Sequence, residues 1–263
     1  MREGAGRALS GFAALVYGVL LAPVVVVIFI SFSADSFIVF PPSGYSLRWY
    51  ERLIGQEALM RGLQLSLGLA TVVTALSLLV GVPAAYAIAR GEFRGLAVLK
   101  AFFLAPLLLP TLVLGLALLM ALQPWRLTAT LPGLALGHMV VTVPFVIRLM
   151  TTTFATLPDE VEVAAASLGA SPWRVFRRVT LPLALPGFGA SAFLSFLLSF
   201  DETVISLFLS GPRASTLPVE MVRYVEGRTD PMVAALSVVL IIGTLAVVLL
   251  VERMAGLTKV IGR

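Results

Sequence analysis

Six long apolar runs constrain the fold of this 263-residue chain more than any other feature of its sequence. A helix needs about 20 residues to cross the hydrocarbon core of a bilayer, and each run is that long. Val, Leu and Ile fill the runs without the alternation of a barrel strand. The sequence therefore predicts an all-α membrane protein with about six transmembrane helices in a single domain, 1–263. The predicted spans are residues 8–32, 62–89, 101–125, 127–147, 186–209 and 231–251.

The composition excludes a soluble domain and most kinds of enzyme. Only 13% of the residues are charged, whereas a soluble domain carries roughly a quarter. The absence of cysteine excludes disulfides and thiolate chemistry. His138 is the only histidine, and the sequence has neither a G-x-x-x-x-G-K-[ST] loop nor an H-E-x-x-H motif. We therefore expect no enzyme activity, cofactor or metal, and any ATP hydrolysis must belong to another subunit.

Basic residues predict the orientation. Arg2 and Arg7 precede the first apolar run as in a signal peptide, but the run exceeds the usual 7–15 residues or so and no small-x-small cleavage site follows. We interpret it as a retained helix.

With both termini in the cytoplasm, twelve basic residues lie inside and seven outside, which the positive-inside rule favours. The inner set is Arg2, Arg7, Arg90, Arg94, Lys100, Arg148, Arg174, Arg177, Arg178, Arg253, Lys259 and Arg263, and the outer set is Arg48, Arg52, Arg61, Arg126, Arg213, Arg223 and Arg228.

A polar, basic island at about residues 155–185 lies between two apolar runs, on the predicted cytoplasmic side. Residues 157–160, Leu-Pro-Asp-Glu, predict a helix start, and Gly169 predicts a left-handed helix end. Ser171 and Pro172 then predict an N-cap and the first position of a second short helix. One interpretation is an interfacial helix whose arginines bind lipid phosphates. The other is a cytoplasmic loop that couples to a partner.

The stretch from residue 162 to 182 supports the second interpretation. It contains a Glu-Ala-Ala-like element, a following Gly and an apolar-Pro ending, with Val163 departing from the strict pattern. This pattern resembles the EAA loop of the binding-protein-dependent (type I) ABC importer permeases. The resemblance implies a type I permease fold and a loop that docks on an ATPase, where Glu162 is expected to pair with a basic group. The implied coupling-loop residues are Glu162, Ala164, Ala165, Gly169, Ser171, Arg174, Leu181 and Pro182.

Residues 199–237 carry a second resemblance. They contain a Ser-Phe-Asp-Glu element, a Gly-Pro turn, a Leu-Pro and a Pro…Ala-Leu-Ser helix opening, and residues 46–50 read Ser-Leu-Arg-Trp-Tyr. Together these segments resemble the C-type permease of spermidine/putrescine importers. The resemblance implies a multi-pass subunit of the bacterial inner (plasma) membrane that imports polyamines. Iron, phosphonate or another solute delivered by a binding protein is the alternative, and an energy-independent channel or facilitator is a third possibility.

The same resemblance implies the partners. They are two copies of an ABC ATPase subunit, a second homologous permease, a periplasmic substrate-binding protein and membrane lipid, with no nucleic acid. A homodimer of this chain is the alternative to the second permease. The outer loop at residues 211–231 is either a solvated cap or a docking surface for the binding protein.

Three polar residues inside the apolar runs have two interpretations each. Placing the carboxylates of Asp201 and Glu202 in the lipid interior is energetically unfavourable. They are either a structural pair or a cation-attracting element in the translocation path, and they point about 100° apart on a helix. His138, inside the fourth run, is either a hydrogen-bonded packing residue or part of a proton relay.

Overall fold

The computed structural model describes residues 2–255, with side chains for residues 10–246 and 249. These residues are mostly helical, with two isolated β-bridges and no strand. The predicted all-α membrane class is confirmed. The helices are α1 (Arg2–Ser31), α2 (Arg48–Ile54), α3 (Glu57–Arg90), α4 (Leu96–Leu104), α5 (Thr111–Leu122), α6 (Leu131–Thr156), α7 (Asp159–Ser167), α8 (Pro172–Val175), α9 (Leu181–Leu183), α10 (Leu185–Asp201), α11 (Val204–Leu209), α12 (Leu217–Gly227) and α13 (Met232–Ala255), with a 3₁₀-helix (Ala105–Leu108) and a π-helix (Phe176–Thr180).

Helix length and apolarity mark three helices, α1, α3 and α6, as candidate membrane spans. Two bent pairs also qualify when each is counted as one span. In the first, Leu96–Leu108 meets α5 at 108°, and in the second, Pro172–Leu183 meets α10 at 71°. Helix α13 adds a shorter apolar stretch over Met232–Ala246.

Two of the predicted spans are interrupted. Residues 101–125 fall on the end of α4, the 3₁₀-helix and α5, and the chain turns at Pro110, the N-cap residue of α5. Leu109, the residue before Pro110, is extended (ψ 139°), which is the conformation that a following proline favours, so the break has a local cause. Residues 186–209 are divided between α10 and α11, because the chain leaves the helical conformation at Glu202 (ψ 99°). Both acids therefore lie at a helix break, and the expected continuous helix around them is wrong.

The helix that carries the fourth predicted span continues beyond that span. The apolar run stops at Ile147, before the charged Arg148, whereas α6 runs from Leu131 to Thr156. Met150 and Phe154 have no exposed surface and extend the buried face of this helix by two turns. The exposed Arg148 lies on the opposite face, where a charge does not interrupt the core.

Contacts between Cα atoms divide the chain into two compact units, one of residues 2–60 and 221–247 and one of residues 61–220 and 248–255. In the second unit, α6 packs against α10 and α11. A Cβ atom at Gly137 would lie 2.4 Å from Leu209 Cδ1 and 3.0 Å from Ile205 Cγ2. The close contact between α6 and α11 therefore requires a glycine at this position.

In the first unit, hydrogen bonds order the segment after α1. The hydroxyl of Tyr50 donates to Ser31 Oγ over 2.7 Å, and the Ser43 amide donates to Asp35 Oδ2 over 2.9 Å. The Ser43 hydroxyl donates to the same carboxylate. These donors, the hydroxyl foremost, hold the pKa of Asp35 below its ordinary value. The segment is thus tied to the end of α1 and to its own turn.

Candidate functional site

Helix α7 begins and ends as the sequence predicts. Its first turn follows Pro158 and is acidic, which suits the positive end of a helix dipole. At its other end the amide of Gly169 donates to the Ala166 carbonyl (2.9 Å), and the amide of Ala170 donates to the Ala165 carbonyl (3.2 Å). With φ of +85° at Gly169, these two bonds form a Schellman motif. The turn after α7 therefore has one defined geometry.

The end of α3 holds α7 through a cluster of four residues, Arg90, Asp159, Glu162 and Thr180, which we call the Arg90 cluster. The Arg90 guanidinium forms ion pairs with Asp159 and with Glu162, where Nε lies 3.4 Å from Oε2 without the geometry of a hydrogen bond. Arg90 Nη2 donates to the Leu157 carbonyl over 3.2 Å. The hydroxyl of Thr180 donates to Glu162 Oε1 over 2.8 Å.

The cluster changes the role expected for Glu162. Its side chain is only 16% exposed, and its carboxylate faces Arg90 and Thr180 of the same chain. The expected pairing with a basic group of an ATPase is therefore not the contact that the structure gives this carboxylate. Glu162 instead positions α7 against the end of α3 and the π-helix.

Apolar side chains on the coupling segment, which we define as residues 159–182, point away from the chain. Helix α7 has no buried residue, and the exposed fractions are 62% for Val163, 90% for Leu168 and 68% for Trp173. Large apolar groups exposed on a polar segment are candidates for contact with another protein. Val163 on α7, Leu168 at its C-cap and Trp173 on α8 are therefore available to a partner.

The other predicted residues of this segment are mostly at its surface. Ser171 occupies the predicted N-cap position of α8, but its side chain makes no capping hydrogen bond. Ala165 and Leu181 are half-buried, whereas the remaining members are exposed. Those exposed members are Ala164, Gly169, Ser171, Arg174 and Pro182.

An aromatic cluster supports the segment from inside. The ring of Tyr86 packs edge-on against Phe154 and Phe176, with centroids 5.4 and 4.9 Å apart, and Trp173 stacks on Phe176 at 5.8 Å. The sequence reasoning missed Tyr86, Thr180 and the role of Arg90. A basic residue at the last position of α3 was the one local signal, because cations are favourable at a helix C-terminus.

His138 fixes both sides of the break between α10 and α11. Its side chain is 1% exposed, and its two ring nitrogens each lie 2.9 Å from a serine hydroxyl, Nδ1 from Ser199 and Nε2 from Ser206. Ser199 precedes the break and Ser206 follows it. His138 is therefore a buried, hydrogen-bonded side chain, as the first of its two interpretations expects.

The two acids at this break differ in their surroundings. Glu202 Oε1 accepts a hydrogen bond from the Ile205 amide over 3.0 Å. This bond gives a partner to one of the backbone N–H groups that the first turn of α11 would otherwise leave free. Asp201 ends α10 and is exposed, and its carboxylate has no hydrogen bond or ion pair with any residue that the structure describes. Glu202 is thus engaged in the fold, and Asp201 is available to a ligand.

Comparison with known proteins adds to this geometry. The family described as "Binding-protein-dependent transport system inner membrane component" matches residues 77–258. The spermidine/putrescine transport system permease protein PotC of Escherichia coli (strain K12) is 29% identical over 95% of each chain. The putrescine transport system permease protein PotI of the same strain is 32% identical over 87% of this chain and 83% of its own. A bacterial ABC transporter involved in the import of the acidic polysaccharide alginate shares the fold, with a TM-score of 0.74 at 17% identity over 95% of this chain and 96% of its own.

Proposed function

Because this chain belongs to the family of inner-membrane components of binding-protein-dependent transport systems, we propose that it forms part of the translocation path of an ATP-driven polyamine importer. It is an ABC importer permease, a multi-pass protein of the bacterial inner membrane, and not itself an enzyme. Its family works with a binding protein, so the channel or facilitator interpretation is set aside.

The coupling segment is the docking surface for the ATPase in this proposal. The observation that carries it is the exposure of three large apolar side chains: Val163 on α7, Leu168 at its C-cap and Trp173 on α8. The Arg90 cluster holds α7, which carries the first of them, in place. Burial of such side chains in a groove stabilises a complex by roughly 1.5–3 kcal/mol each. Because α7 is tied to both α3 and the π-helix, a displacement of α7 by the ATPase reaches two spans at once.

The proposed assembly contains two ATPase subunits, a second homologous permease and a periplasmic substrate-binding protein. Purification of the co-expressed operon through a tag on this chain tests it. Recovery of the ATPase with a second permease supports the heteromeric assembly, and recovery of the ATPase with two copies of this chain alone supports the homodimer. Loss of the ATPase on replacement of Leu168 and Trp173 by serine would identify the docking surface.

Both termini are proposed to lie in the cytoplasm, although residues 256–263 fall outside the described part of the chain. The excess of basic residues on that side motivates this orientation. Alkaline phosphatase, which is active only outside, should be inactive when fused to either terminus, whereas a fluorescent protein that matures only in the cytoplasm should be bright. An active phosphatase at the C-terminus would contradict an even number of spans between the termini.

A polyamine is the proposed cargo because the free carboxylate of Asp201 lies at a break that His138 fixes in position. A polycation loses hydration on entering the membrane, and a fixed carboxylate offsets part of that cost. The similarity to two permeases named for spermidine and putrescine transport supports the same cargo. An anionic cargo would gain nothing from this charge.

Replacement of Asp201 by asparagine is expected to lower the rate of spermidine uptake by about ten-fold. One charge at roughly 10 Å from a cation contributes on the order of 1–2 kcal/mol at an effective dielectric constant of about 20. The measurement is ATP-driven uptake of labelled spermidine into proteoliposomes that contain the assembled transporter and its binding protein.

Two matched variants control for the loss of any carboxylate. Glu202→Gln keeps an oxygen that accepts from the Ile205 amide, so it should lower uptake less than Asp201→Asn. Glu92→Gln removes an exposed carboxylate between α3 and α4 and should leave uptake unchanged. Full uptake by Asp201→Asn, or selective binding of an anion by the cognate binding protein, would assign both acids to a structural role.

A further inference from the structure

A cavity of about 740 Å³ opens between α4, the following 3₁₀-helix and α6, apart from the coupling segment and the acid pair. Seven of its eleven lining residues are apolar: Ile88, Ala97, Ala101, Leu104, Leu107, Leu108 and Ile147. The other four are Lys100, Arg148, Thr151 and Thr152. Helices α4 and α6 belong to candidate membrane spans, so the apolar wall of the cavity lies where acyl chains are the solvent.

The polar part of the cavity carries unneutralised positive charge. Lys100 and Arg148 are both exposed, and neither forms an ion pair within the described residues. The Thr151 hydroxyl is buried and also lacks a hydrogen-bond partner there, whereas Thr152 donates to the Arg148 carbonyl. Two cations and a free hydroxyl beside an apolar wall are complementary to an amphipathic anion. They are unsuitable for a polycation, so the cavity does not serve the proposed cargo.

The depth of the two charges also suits a lipid headgroup. Lys100 lies four residues after the start of α4, and Arg148 lies eight residues before the end of α6. At a rise of about 1.5 Å per residue, these positions are roughly 6 and 12 Å from the helix ends. Long basic side chains at such depths extend toward the interface and reach phosphate groups there. Ile88, on the cavity wall, is two residues from Arg90, which places the cavity at the coupling end of the unit.

We propose that this cavity binds one anionic phospholipid of the cytoplasmic leaflet. Its phosphate contacts Lys100 and Arg148, the Thr151 hydroxyl donates to a phosphate or ester oxygen, and an acyl chain lies along Leu104 and Ile147. Basic pockets between transmembrane helices on this side of the membrane are suited to acidic headgroups. The site is independent of the cargo and of the ATPase contact.

Native mass spectrometry of the assembled transporter, titrated with phosphatidylglycerol or phosphatidylcholine in detergent, tests the site. Each basic side chain near an anionic headgroup contributes roughly a five-fold preference, so Lys100→Gln/Arg148→Gln should weaken the first phosphatidylglycerol adduct by about twenty-five-fold. Phosphatidylcholine binding should change little. Ala101→Trp fills the apolar part from an exposed position and should also weaken the adduct with both charges still present.

Arg94→Gln, compared with Lys100→Gln alone, is the matched control, because it removes one exposed charge on the same predicted side that neither lines the cavity nor lies in the coupling segment. It should leave the first adduct at wild-type strength. Equal weakening in this control would show general surface attraction and would overturn the proposal. Unchanged phosphatidylglycerol binding in Ala101→Trp would also overturn the proposal. It would mean that the headgroup phosphate alone is bound, with no acyl chain on the apolar wall.

Discussion

Replacement of Arg90 by methionine is expected to lower ATP-driven uptake by about ten-fold or more while the protein still inserts and assembles. The change removes both ion pairs to α7 and the hydrogen bond to the Leu157 carbonyl, yet methionine keeps an apolar stem of similar length. It leaves the largely buried Glu162 carboxylate with Thr180 as its one remaining partner in the cluster. Breaking an ion pair of this kind destabilises the contact between α3 and α7 by on the order of 1–3 kcal/mol, after allowance for the partial exposure of the pair. Uptake and ATPase activity are measured together, because a loosened α7 should lose uptake before ATP hydrolysis.

Charge reversal separates a contact within the chain from a contact with the ATPase. Glu162→Lys places like charges beside each other and should be as severe as the loss of Arg90. The double variant Arg90→Glu/Glu162→Lys restores opposite charges and should recover part of the uptake. Arg94→Met, in the exposed turn four residues later, is the control and should keep wild-type uptake. No recovery in the double variant, with normal uptake in Arg90→Met, would return Glu162 to the role of a contact with the ATPase.

The sequence predicts local structure well where one residue type has one conformational consequence. Gly169 predicts a left-handed helix end, and its positive φ and the two Schellman hydrogen bonds confirm it. Proline at position 110 favours a local bend, but the size of the bend, 108°, depends on how α5 packs, which no local pattern encodes. Arg148 ends the apolar run in the sequence without ending α6, because its side chain lies on the exposed face of the helix.

Contacts distant in sequence could not be predicted in this way. Arg90 and Glu162 are 72 positions apart, and no periodicity links the end of α3 to the first turn of α7. His138 was expected to be hydrogen-bonded, but its two serine partners lie on either side of a helix break that the apolar run conceals. The same two interpretations apply to Asp201 and Glu202 in the sequence, and the choice between them depends on the Ile205 amide at the start of α11, which only Glu202 binds.

Replacement of Gly169 by valine is expected to abolish uptake, and Gly95 provides a matched control. Both glycines have positive φ, +85° and +95°, and at both an added Cβ would meet nothing within 4 Å. Valine should therefore impose similar backbone strain at either position, about 1–2 kcal/mol, without a steric clash. Only Gly169 lies in the coupling segment, where a change of φ would break both Schellman bonds and redirect α8 with the exposed Trp173.

The two valine variants should thus be equally destabilised and unequal in transport. Fluorescence-detected size-exclusion chromatography after heating should show matching losses of stability, and spermidine uptake should fall by about ten-fold or more in Gly169→Val alone. Gly169→Asn should retain most of the uptake, because asparagine tolerates the left-handed conformation. If Gly95→Val lost as much uptake as Gly169→Val, the loss would follow from stability. If Gly169→Val transported normally, the direction in which α8 leaves α7 would have no part in coupling. The expected difference in uptake between Gly169→Val and Gly95→Val therefore separates the effect of where the turn lies from the effect of backbone strain.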